Sequence, residues 1–128
     1  MAAFSDYTED QLVNLLLRGI PFTSPATIYV GLHLSSPTDA NIGIEVIGGS
    51  YSRQAISFDP PSSGVTLNSS VVVFPTATAS WGTVTHFGLY DSSGAGNLLM
   101  WGALSNPIVL DSGDSFTIPA GTLSVSMD

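Results

Sequence analysis

Ile28-Tyr29-Val30-Gly31-Leu32-His33-Leu34 decides between helix and strand for this chain. Ile28, Val30, Leu32 and Leu34 fall on one phase of a two-residue period, and Tyr29, Gly31 and His33 fall on the other. Successive side chains of a strand point to opposite faces, so this alternation describes a half-buried strand. Working outward, strand-like runs follow at 51–58, 65–74, 83–90, 97–104, 108–110, 115–118 and 122–127. Between them lie turn formers: Gly48-Gly49-Ser50, Pro60-Pro61-Ser62-Ser63-Gly64, Ser92-Ser93-Gly94-Ala95-Gly96 and Asp111-Ser112-Gly113-Asp114. About eight short strands at near-regular spacing predict an antiparallel sandwich or barrel. No second helical pattern interrupts them, which argues against a parallel βαβ fold. Residues 35–50 form the longest weakly patterned stretch, and Ile42, Ile44, Val46 and Ile47 make it too apolar for a plain solvent loop.

One helix is predicted upstream. Ser5 and Asp6 suit an N-cap, and Asp6 with Glu9, or Thr8 with Gln11, resembles a capping box. Asp6, Glu9 and Asp10 sit at the positive end of the helix dipole. Leu12, Leu15 and Leu16 form a stripe that Val13 and Leu17 widen. Arg18, Gly19 and Pro21 end it. The expected organisation is one domain over 1–128, with a helical segment at 1–21 and a mainly β sandwich at 26–128. The stripe either covers one end of that sandwich or grips a neighbour.

Composition narrows the function. The chain has 128 residues, 44% of them hydrophobic, enough for a core without staples. It has no cysteine, so no disulfide framework and no Cys-based zinc or redox site exist. Its two basic residues are both arginine, against ten acids, for a net charge of -8. Nucleic acid and anionic membrane surfaces are therefore poor partners, since both need cationic side chains. The run from Leu12 to Leu17 is far shorter than the ~20 residues of a membrane span, and its acidic flank does not read as a signal peptide. Charged residues make up 9%, against roughly 25% in an average domain. So thinly charged a surface implies either solvation by Ser and Thr or burial against partners, and the second is the expectation here.

Chemical motifs are weak. His33 and His86 lack metal-ligand spacing and read as ordinary strand histidines. Gly48-Gly49-Ser50-Tyr51-Ser52 lacks the last glycine of a nucleophile elbow. Gly94-Ala95-Gly96 lacks the later glycine or lysine of a phosphate loop. Asp39-Ala40-Asn41 and Asp111-Ser112-Gly113-Asp114 offer oxygens, but turn chemistry explains them better than calcium. No catalytic residue, cofactor or metal is expected. Trp101 alternates with apolar residues and reads as core or interface, whereas Trp81 either plugs the open end of the sandwich or anchors an interface. Trp81 and the tyrosines are also what a carbohydrate-binding module would use.

Several blocks carry a resemblance. They are Thr27–His33 followed by Ser36-Pro37-Thr38-Asp39-Ala40, then Glu45 with Gly48–Ala55, and the long block Phe74–Asp91 containing Ser80-Trp81-Gly82-Thr83-Val84-Thr85-His86-Phe87-Gly88. Trp101-Gly102-Ala103-Leu104 and the ending Ala120–Asp128 continue it. Together they resemble a family of short tailed-bacteriophage virion structural proteins, often labelled tail fibre proteins. Some of that kind look like capsid cement, or decoration, proteins with a jelly-roll-like sandwich that cluster as trimers. The resemblance implies a non-enzymatic virion part, with no catalytic residues to carry over.

The expectation that follows is a cement protein on the capsid exterior, contacting the major capsid protein and forming a homo-oligomer, a trimer by resemblance. A compact chain without heptads or repeats favours this over a fibre shaft. The expected partner contacts are Phe4, Tyr7, Leu12 and Leu16 of the N-terminal segment, Ile42 and Ile44 of the long loop, Arg53, and Trp81. Arg53 has an intramolecular alternative, pairing with Asp59 or Glu45. The competing functions are a fibre or fibre-adaptor component and a carbohydrate-binding module.

Overall fold

The computed structural model describes residues 2–126. It is mainly β with one helix: β1 (Ala2–Phe4), α1 (Asp6–Leu17), β2 (Ile28–His33), β3 (Gln54–Ile56), β4 (Val65–Leu67), β5 (Val72–Val73), β6 (Gly82–Tyr90), β7 (Leu98–Leu110), β8 (Thr117–Ile118) and β9 (Ser124–Ser126). Five strands form one antiparallel sheet in the order β1-β7-β6-β2-β3. Two ribbons, β4–β9 and β5–β8, supply the second layer of a sandwich. The core lies between the layers: Val30, Leu32, Val84, Phe87 and Leu89 of the large sheet meet Val72, Phe74, Ile118 and Val125 of the ribbon side. The predicted alternation at 28–34 sets this arrangement, because Val30 pairs with Leu89 and Leu32 with Phe87 on the core face.

Several strands differ from expectation, each for a local reason. The runs at 97–104 and 108–110 are one strand, β7. Its register against β6 jumps from Val84↔Ile108 to His86↔Ala103, so the residues around Pro107 are absorbed in a bulge. Proline lacks the N–H a regular ladder needs, and a bulge is where a sheet tolerates it. The run at 65–74 divides into β4 and β5 at Asn68. Buried Asn68 donates through Nδ2 to the carbonyls of Ser70 (2.9 Å) and Pro119 (3.0 Å). Its Oδ1 accepts from the amides of Thr122 (3.0 Å) and Leu123 (2.9 Å). One side chain thus replaces four ladder bonds and ties the two ribbons together. Met127, the last residue of the predicted final strand, lies outside the described residues.

Strand β1 has no signal in the sequence: three residues are too short for a period. It exists because Ala2, Ala3 and Phe4 pair with Gly102, Trp101 and Met100 at the sheet edge. Ser5 then caps α1, its Oγ accepting from the Thr8 amide at 3.2 Å. The same hydroxyl donates to the carbonyl of Leu98. The helix closes as expected, with Arg18 at the C-cap and Ile20 donating to the Asn14 carbonyl at 3.0 Å.

Candidate docking surface and the network behind it

The helix is held at its first turn. Ser5 binds β7 through its side chain and through its amide, which donates to the Leu99 carbonyl at 3.1 Å. The Asp6 amide donates to the Asp39 carbonyl at 2.9 Å. None of the helix residues is buried, and beyond the half-buried Leu12 and Asn14 its last turn stands clear. Leu16 is 75% exposed and Leu17 79%, with Val13, Leu15 and Ile20 also open to solvent. Apart from half-buried Leu12, the leucine stripe therefore does not cover the end of its own sandwich.

The second apolar exposure is on the segment 34–50, which straps the sheet. It first runs beside β2: Leu34 donates to the Ile44 carbonyl (2.7 Å) and Val46 to the Leu32 carbonyl (3.0 Å). Val46 and Pro37 turn inward, but Ile42 is 74% exposed and Ile47 87%, and Ile44 is exposed too. Residues 39–41 reach across to the far strands. The Trp101 indole donates to Asp39 Oδ1 at 2.8 Å, and the Tyr90 hydroxyl lies 3.1 Å from Asn41 Oδ1. The strap shows Ile42, Ile44 and Ile47 to solvent, while polar groups together with Val46 hold it from beneath. Exposed isoleucines above a polar underside make the strap a candidate docking surface.

The polar groups beneath the strap form one connected network. Glu45 takes a two-pronged pair from Arg53, Nε to Oε2 and Nη2 to Oε1, both at 2.8 Å. The Tyr51 hydroxyl donates to Glu45 Oε2 at 2.6 Å and accepts from the Leu32 amide at 2.9 Å. Arg53 Nη1 reaches the carbonyls of Ser92 (3.0 Å) and Ala95 (2.7 Å), and the guanidinium lies 3.5 Å from the centre of the Tyr90 ring. The Tyr90 hydroxyl is 2.8 Å from Nε2 of buried His33. Gly31 makes room for this: a Cβ there would meet Glu45 Oε2 at 2.7 Å. Burial raises the Glu45 pKa, but hydrogen bonds from Arg53 and Tyr51 outweigh it and hold the carboxyl below its ordinary range. Burial pushes the Tyr51 hydroxyl up, and neighbouring Glu45 adds to this. Tyr90 is pushed up to about 12, first by burial and then by Glu45. Burial lowers His33 to about 4, against an upward pull from Glu45. Burial also lowers His86, outside this network. Within it the shifts follow from burial and from the pairing that holds the strap, and Glu45, Tyr51 and Arg53 line a shallow open recess with Ser93, Gly94 and Ala95.

Of the residues expected at an interface, Leu16, Ile42 and Ile44 lie on these two exposed surfaces. Phe4, Tyr7 and Leu12 are half-buried around the helix base. Arg53 takes its intramolecular alternative and is committed to Glu45. Trp81 plugs the sandwich instead of presenting a face: it is 3% exposed, donates to the Gly49 carbonyl at 2.8 Å, and meets Tyr51 edge-on at 5.4 Å. A sugar platform at Trp81 is closed by that burial. Ile47 belongs to the 42–47 loop expected at an interface and Leu17 to the expected stripe, whereas Tyr90 and His33 as network members, and Asn68, were not foreseen. The outward isoleucines were the available signal, since 42, 44 and 47 are apolar between turn residues.

Asp6, Glu9 and Asp39 gather their carboxylates at the helix N-terminus, all exposed. The helix dipole and the Trp101 indole account for them. An apolar notch of about 210 Å³ opens between Ile28, Phe58, Leu89 and Val125. It has no polar group to orient a small ligand, which a binding pocket normally supplies.

A search of the curated proteins finds no match. A protein-family model described as podophage GP4 fiber I protein gp80 matches residues 3–126, nearly the whole chain. The match includes α1, the strap and both layers of the sandwich, so the candidate docking surface and its network lie inside the matched region. The chain belongs to this family of phage virion structural proteins.

Proposed function

We propose that this protein is a non-enzymatic subunit of a short virion fibre, or of the adaptor that seats one, docking on neighbouring virion proteins through α1 and the outward isoleucines of the strap. The observation that carries the docking is a helix with no buried residue and an apolar surface along its free turns. A helix of this length gains little stability from propensity alone, so packing against a partner is its natural completion. The family description favours the fibre station. Copy number tests it: quantitative gels and imaging of intact virions should find a few dozen copies or fewer, at the tail or a vertex. Deletion should impair adsorption.

A second reading, capsid cement contacting the major capsid protein as a trimer, is favoured by a different observation. The described residues form one sandwich with no shaft, and the low charge limits repulsion between crowded copies. This reading requires hundreds of copies per particle and shells that become fragile to heat without the protein. Many modest interfaces would then act together.

A further inference from the structure

We propose that His33 is the acid-operated latch of the strap: protonation of its buried ring at Nδ1 frees residues 34–50 and, with them, the anchored end of α1. The inference is independent of the station the protein occupies in the virion.

The Tyr90 hydroxyl has one proton and two neighbours, Asn41 Oδ1 at 3.1 Å and His33 Nε2 at 2.8 Å. Given to Asn41, which only accepts there, that proton leaves the Tyr90 oxygen to accept from Nε2–H. A relay then runs from His33 through Tyr90 to Asn41, with every member satisfied. The ring's other nitrogen, Nδ1, is buried and has no hydrogen-bond partner among the described residues. As a bare lone pair it is tolerated. As N–H⁺ it is a buried cationic donor without an acceptor, which is far more costly.

The charges around the ring sharpen this. Glu45 on the strap attracts a cation at His33, but it already takes both prongs of Arg53. Arg53, lying against the Tyr90 ring, opposes it. His86, the cross-strand partner of His33 on β6, opposes it as well. Tyr51 is occupied with Glu45 and the Leu32 amide. Among the described residues no hydrogen bond reaches Nδ1 from β2, β6, the strap or the segment before β3, and Glu45, the acceptor that attracts the ring, is held by Arg53 and Tyr51. The ring gains a partner only by reaching water, which requires the strap to lift. Lifting breaks the Asn41 and Asp39 contacts together, and Asp39 also holds the first turn of α1.

The sign is fixed by linkage. A histidine held below its ordinary value in the folded state binds its proton more readily once opened. The latch is therefore fully closed above about pH 6.5 and weakens as the pH falls towards 4. Glu45 stays ionised across most of that window, since its partners hold it low.

The test is amide hydrogen exchange on the full chain between pH 6.5 and 4, corrected for intrinsic rates. Protection at the Leu34, Ile42 and Val46 amides should fall by roughly a hundredfold, as the displacement of His33 implies. The amides of Asn68 and Gly121 on the ribbon side should change much less. His33→Gln should remove the pH dependence at the strap. Unchanged protection in the wild type, or the same pH dependence in His33→Gln, would overturn the proposal. If His33→Gln does not fold, nitrogen NMR of the wild-type imidazoles decides, with His86→Gln supplying the assignment. The expected result is an Nε2–H ring at pH 7 that titrates together with strap exchange. An Nδ1–H ring, or a His33 that titrates near 6.5 while the strap stays protected, overturns it.

Discussion

The two faces of the five-stranded sheet are built on opposite principles. On one, Val30, Leu32, Phe87 and Leu89 pack against the ribbons in an apolar interior. On the other, Gly31, His33, Gly88, Tyr90 and Trp101 share a face whose cover is fastened by hydrogen bonds and one ion pair. The core face is non-directional and tolerates small adjustments. The strap face is directional: Glu45, Tyr51, Arg53 and Tyr90 hold one another in single geometries. The comparison teaches why the strap can expose isoleucines. A cover fastened by polar contacts and by Val46 does not need Ile42, Ile44 and Ile47 packed inside, so these three stay on the surface.

Mutations on the two faces test this division. Phe87→Ala on the core face should cost about 4 kcal/mol by transfer and cavity terms, measured by urea unfolding. Glu45→Ala on the strap face should cost about 3 kcal/mol, because it leaves Arg53 and Tyr51 without their acceptor. If the strap face is a fastened unit, the Glu45→Ala/Arg53→Met pair should cost clearly less than the two single changes summed; strict additivity in the double-mutant cycle would contradict it. Ser5→Ala should cost about 1 kcal/mol, read as lost helicity in α1 by circular dichroism, since the cap and the tie to β7 go together. Leu17→Ser and Ile47→Ser should change stability by less than about 0.5 kcal/mol while reducing incorporation into virions. A large loss of stability from either would mean that these side chains serve the fold and not a neighbour.

How far the sequence is legible follows the same division. The core face is written as alternation, and the strand at 28–34 is readable from side-chain chemistry alone. Helix α1 is equally readable, because the Ser5 cap and the stop at Gly19 are local. The division of β4 from β5 is not, because Asn68 finds its partners at 119–123, more than fifty residues away. The unity of β7 is hidden by Pro107, which looks like a terminator until a bulge accommodates it. At the candidate surface, Leu16, Ile42 and Ile44 were nameable from hydropathy, and their exposure was not.

Local periodicity, capping residues and charge count belong to the chain itself, and from them follow the β class, the single helix, the core side of β2 and the poor match to polyanions. Which apolar residues stay outside is a tertiary decision. Arg53 and Trp81 were equally plausible as surface anchors, and only the folded neighbours of Glu45 and Tyr51 drew them in. The physical reason is that burial and pairing depend on distant segments meeting, and a leucine or an arginine carries no mark of which segment will arrive.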